Sequence, residues 1–127
     1  MGYTIKNLES VEDMAKSHGL GEQGEARFAS GDLDAVQTGV SHQRLKPGKR
    51  QSFGHRHDQA EEVYVVLAGS GRIKLDEEIR EIGKLDAIRV SPDTMRSFEA
   101  GENGLEILAF GQHFGGDGEL VQSWWSD

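Results

Sequence analysis

Three side chains in one short stretch could act together as a chemical unit: His55, His57 and Glu62. Two imidazoles and a carboxylate are the donors that hold Fe(II), Mn(II), Zn(II), Ni(II) or Co(II) in a three-ligand face with open positions. Open positions are what metal-assisted catalysis needs. On a strand, residues two apart point to the same side, roughly 7 Å apart along the backbone, so the two rings can converge on one ion. The four residues after His57 allow a turn into a neighbouring antiparallel strand, from which Glu62 would face the histidines. A His-x-His pair alone also fits two surface or hydrogen-bonded histidines, so the surrounding elements carry the argument.

A Pro-Gly turn (Pro47-Gly48) precedes the group, and Gly69-Ser70-Gly71 follows it and is read as a hairpin turn. With no lysine and no helix behind it, this second turn is not a phosphate loop. Strands are expected at Val36 to Leu45, Arg50 to His57, Glu62 to Ala68, Arg72 to Leu75, Ile79 to Ile82, Ala87 to Val90, Arg96 to Glu99 and Leu105 to Phe110. Short strands roughly 8–12 residues apart, with no long helix between them, indicate an all-β sandwich or barrel. Upstream, Ser10 and Asp13 form a capping box for a helix of two to three turns that carries Val11, Met14, Ala15 and His18 and stops at Gly19. The organisation read from this is an N-terminal appendage over 1–35, a barrel over 36–111, and a tail over 112–127 that packs on the barrel or on a partner subunit. Within Glu62 to Ala68 both faces are apolar, with Tyr64 and Val66 on one and Val63, Val65 and Leu67 on the other. Such a strand is covered on both sides, which points to a homodimer.

The chain has 127 residues, a formal net charge of -8, no cysteine, 17 glycines and 2 prolines. One domain of this length can bury a core without staples. The acidic balance argues against nucleic acid as a partner. Without thiolates, any metal site must be built from nitrogen and oxygen. No apolar window approaches about 18 residues and no leader-like segment follows Met1, so a cytoplasmic protein without membrane contact is expected.

Gly48, His55, His57, Glu62 and Gly69 together resemble the first signature of the cupin superfamily, with one residue more than usual between Gly48 and His55. The stretch from Gly83 to Arg96 resembles the second. Asp86 and Pro92 fit it, Ser91 and Asp93 depart from it, and Arg96 stands where the fourth ligand histidine would be. The resemblance covers roughly residues 36 to 111. It implies a double-stranded β-helix, or jelly-roll, with one short N-terminal helix outside it and a small-molecule pocket in one end.

Arginine cannot ligate a cation, and a guanidinium about 4 Å from a divalent ion is repelled by roughly 8 kcal/mol at an effective dielectric of 20. Three arrangements follow. The ion sits on His55, His57 and Glu62 while Arg96 binds an anionic substrate group; Arg96 pairs with Glu62 and no metal binds; or His113 supplies the missing ligand. Tyr64 offers the one hydroxyl near the group and is read as substrate-binding. His42 is placed on the surface or rim, and His18 at the helix end. The resemblance implies a metal-dependent oxygenase, isomerase or epimerase, or decarboxylase. The alternatives are a metal-free cupin that binds a sugar or carboxylic acid without turnover, and a degenerate cupin with structural histidines.

Overall fold

The computed structural model of the chain describes residues 2–112, 116–122 and 124–126. Among these residues run a 3-10 turn (Leu8–Ser10), the helical turn α1 (Met14–Ser17), and the strands β1 (Gly24–Phe28), β2 (Thr38–Leu45), β3 (Phe53–His57), β4 (Glu62–Leu75), β5 (Glu78–Gly83), β6 (Ala87–Val90), β7 (Arg96–Gln112) and β8 (Gly118–Gln122). The strands pair antiparallel. One path runs β1-β2-β7-β3-β8, and β4 pairs with β5, β6 and β7. The sheet curls into an all-β jelly-roll barrel, the form the cupin resemblance implies; the strand spacing by itself indicated a sandwich or a barrel.

The barrel is built on the long β4·β7 ribbon. Its inward residues alternate: Tyr64, Val66 and Ile73 from β4 meet Phe98, Ile107 and Ala109 from β7 in one buried cluster. Fully burying a side chain of this size stabilises the fold by about 1.5–3 kcal/mol. The opposite face of β4 carries Val63, Val65 and Leu67, which are half-buried.

Two expected turns are absent. Residues 62–68 and 72–75 form one strand, and 96–99 and 105–110 form another. The glycines bend these strands instead of ending them. The register shifts between Val66 and Ala68 and again between Gly69 and Gly71, as bulges in a bent ribbon do. Gly69 has φ 78. A Cβ there would lie 2.0 Å from the Gly104 carbonyl oxygen, and one at Gly71 would lie 2.1 Å from that of Glu99. Backbone approach this close requires glycine.

The N-terminal helix is a single turn capped by Asp13 rather than Ser10. Asp13 accepts from Ala15 N at 3.0 Å, and also from Ala26 N of β1 at 3.0 Å. One carboxylate therefore satisfies a helix end and a strand edge together, and pins α1 beside β1. β1 itself pairs with β2 from Gly24↔Leu45 to Phe28↔Ser41, so part of the first 35 residues is woven into the sheet. At the other end, the Trp125 indole donates to Gln51 O at 2.9 Å and to Ser97 Oγ at 3.0 Å, beneath the guanidinium of Arg50. Lys74 Nζ donates to Trp124 O at 2.8 Å and sits 4.3 Å from its ring. Both tryptophans thus fold back onto the barrel. Among the described residues no helix is long and apolar enough to cross a membrane.

Candidate metal centre

β3 carries both histidines because it alternates: Phe53, His55 and His57 point inward, while Arg56 turns outward to Glu119. Hydrogen bonding fixes the strand on both flanks. Its register with β8 runs from Phe53↔Gln122 to His57↔Gly118, and His57 N donates to Pro92 O at 2.7 Å. Glu62 opens β4, and Tyr64 follows it on the same face.

These residues meet. The donor atoms of His55, His57 and Glu62 lie within 4.8 Å of one another. Glu62 Oε1 is 3.4 Å from His55 Nε2 and 3.2 Å from His57 Nε2. The Tyr64 hydroxyl donates to the same oxygen at 2.5 Å and lies 3.3 Å from His55 Nε2. The imidazoles stand edge to face, with centroids 5.4 Å apart.

Donors about 2.0–2.2 Å from one ion, at tetrahedral or octahedral angles, lie about 2.8–3.6 Å from each other. Both carboxylate–imidazole distances fall in that range. The His57 nitrogens are buried yet make no hydrogen bond, although Nε2 is aimed at Glu62. An orphaned imidazole nitrogen converging with a carboxylate fits a metal ligand better than a structural histidine. The charges suit it as well. Burial opposes ionisation of Glu62, but the hydrogen bonds from His55 and Tyr64 and the close approach of the His57 imidazole more than reverse this and hold its carboxyl well below the usual range. Burial, and then the Glu62 charge, push Tyr64 well above the ordinary phenol value, so its hydroxyl stays protonated and donates.

Asp117 had no signal in the sequence, where it falls in a glycine-rich tail. It accepts from the backbone N–H of Asp58 and Gln59 at 2.9 Å and of Ala60 at 3.0 Å, and its Oδ2 is 3.3 Å from His57 Nδ1. One carboxylate therefore holds the loop between β3 and β4 and stands behind His57, as carboxylates do behind the imidazoles of metal sites. Burial raises the pKa of Asp117, and the three N–H bonds outweigh that and lower it.

Arg96 lies opposite His55 in the β3·β7 pairing and is fully buried. Its Nη1 and Nη2 donate to the carbonyls of His55 and Ser91 at 3.4 and 3.0 Å, and its Nε has no partner. Among the described residues it forms no ion pair, so the Arg96–Glu62 pairing is not made. His113 lies outside the described residues. His42 is buried and bonds Glu106 at 2.6 Å, away from the site. A pocket of about 170 Å³ opens over the group, with Phe28, Ser41, His57, Glu62 and Asp117 among its walls.

The chain folds as the curled antiparallel barrel of the cupin fold, and His55, His57 and Glu62 converge inside it. No family model matches the chain. The solved structures it resembles include a cupin protein of Bacteroides fragilis (24% identity, 91% of this chain and 88% of that one, TM-score 0.73). They also include oxalate decarboxylase of Bacillus subtilis (23%, 94% of this chain and 32% of that one, TM-score 0.72). A Streptomyces nucleoside dehydratase solved with uridine matches at 19%, over 95% of this chain and 92% of that one, with TM-score 0.75. An uncharacterised protein of Methanocaldococcus jannaschii is 35% identical over 65 residues, which are 50% of this chain and 52% of that protein. The matched segment thus spans about half the length of the curated relative.

Proposed function

We propose that the protein binds one divalent first-row metal ion through His55, His57 and Glu62 and acts as an enzyme on a small anionic molecule in the adjoining pocket. The observation that carries this is the buried, unbonded His57 Nε2 aimed at a carboxylate oxygen 3.2 Å away. A bound ion would polarise a carboxylate, carbonyl or hydroxyl of the substrate. Around it, Tyr64 holds Glu62 by its hydroxyl and Asp117 stands behind His57. The preference for an anion follows from charge. Among the described residues, a dication, Arg96 and the carboxylates of Glu62 and Asp117 leave the site positive. Arg96 acts through its field, since Nη1 and Nη2 are taken by backbone carbonyls. A direct clamp on substrate would require it to release one of them. An oxalate decarboxylase and a nucleoside dehydratase among the structural neighbours favour a reaction that removes a group from a small polar substrate.

Elemental analysis of protein purified without chelator tests the reading. Wild type should carry up to one equivalent of metal, and His57→Ala none. No metal under any loading condition would refute it.

A metal-free binding role is favoured by one feature: Glu62 Oε1 already has Tyr64 and His55 as hydrogen-bond partners. Undiminished ligand binding after chelation would be its sign.

The proposal includes a second copy of the chain on the outer face of β4. There Val63, Val65 and Leu67 adjoin Phe110, which is 37% exposed. Light scattering should report a dimer for wild type and a monomer for Val65→Glu. A monomeric wild type would refute it.

A further inference from the structure

We infer that the ligand has two parts, an acidic metal-binding head beside His57 and Glu62 and an apolar tail lying in a second compartment of the same trough. The head rests on the metal reading above; the tail rests on separate observations.

β1 and β8 end the sheet path without pairing to each other, which leaves a slot along the barrel. The inward residues of β2 run Ser41, Gln43, Leu45, and those of β3 run His57, His55, Phe53. Ser41 and His57 line the pocket over the metal group. One or two inward steps further along the same strands, Gln43, Leu45 and Phe53 line a second cavity of about 380 Å³, closed at its far side by Met14 and Ala15 of α1. Phe28 is a wall of both. The two cavities are therefore neighbouring compartments of one trough. The larger is of the size that small-molecule sites have.

Its chemistry is apolar. Phe28 and Leu120, on the lips of the slot, are 56% and 59% exposed. Large apolar side chains left this open beside a cavity are suited to covering by an apolar ligand. The Gln43 and Gln51 side chains of the wall are engaged, and its charged residues Glu25 and Arg44 pair with each other at 3.6 Å. Gln51 Nε2 donates to Gln43 Oε1 at 2.9 Å, Gln43 Nε2 donates to Ser41 Oγ at 3.3 Å, and Phe98 N donates to Gln51 Oε1 at 3.1 Å. A sugar or base would compete with these bonds, whereas an aliphatic or aryl tail leaves them intact.

The test loads the protein with Co(II), verifies loading by elemental analysis, and titrates it with acetohydroxamate, butanohydroxamate and hexanohydroxamate. The heads are the same and only the tails differ. Affinity should rise about threefold to fourfold per added methylene. Leu120→Asp, at an exposed position, should flatten the series and leave acetohydroxamate unchanged. Equal affinities across the series in wild type would overturn the inference, as would an undiminished slope in the variant. If the protein takes up no ion, the metal reading fails by itself. The tail compartment is then scored on the same protein by amide chemical shifts with octanoate against acetate. Shifts at Phe53 and Leu120 with octanoate alone support it, and their absence overturns it.

Discussion

Tyr64→Phe removes one hydroxyl and leaves the ring against Phe98, with centroids 4.9 Å apart. Tyr64 is 1% exposed and its hydroxyl donates to an ionised carboxylate at 2.5 Å. A hydrogen bond to a charged group contributes about 1.5–3 kcal/mol. The metal-free variant should lose that much at pH 7, a fall in Tm of about 5–12 °C for a chain of this size. The pH dependence is the sharper check. Folded Glu62 has a lowered pKa, so its contribution is present above the unfolded carboxyl value of about 4.3 and is lost as pH falls. The variant's folded carboxyl lies nearer the ordinary value, so its loss ends sooner on acidification. The gap between the proteins should therefore be full at pH 7 and should close only as the pH falls below the variant's own folded carboxyl value. Urea unfolding of chelator-treated protein at pH 7 and through that acid range measures it, with Glu62→Gln completing a double-mutant cycle. A variant within about 0.5 kcal/mol of wild type at pH 7, or a gap that ignores pH, would show that the hydroxyl does not hold the carboxylate.

Two further outcomes are expected. Asp117→Asn should weaken metal binding about 10–100-fold in chelator competition, because the carboxylate behind His57 becomes a neutral amide; unchanged affinity would separate Asp117 from the site. Arg96→His should tighten metal binding, since residue 96 lies directly across from His55 and the change removes a like charge while adding a donor; unchanged affinity would mean that position 96 does not face the ion.

The site was partly legible because its ligands are local. His55, His57 and Glu62 fall within eight residues, and the two-residue period of a strand decides that both rings share a face. Tyr64 follows from Glu62 by the same period. Arg96 could be placed at the fourth position only through the resemblance of the second signature; the structure pairs it with His55 and sets its guanidinium on backbone carbonyls. Asp117 could not be read at all. It reaches His57 only because β8 pairs with β3, and no local pattern announces a pairing between strands 60 residues apart. Gly69 and Gly71 were misread for a related reason. A glycine pair marks a turn and a bulge alike, and the choice depends on whether the partner strand continues past it, as β7 does.

By itself the sequence determined an all-β chain of antiparallel strands and the shared face of a two-histidine pair that a nearby glutamate can join. Each of these follows from the period of the backbone and the identity of neighbouring residues. Tertiary structure alone decided where the long-range partners fall: a buried arginine set on backbone carbonyls, an aspartate behind His57, and an unpaired gap between β1 and β8. These depend on which strands meet and in what register. Such contacts are settled by the packing of the whole chain and leave no mark on any short stretch of it.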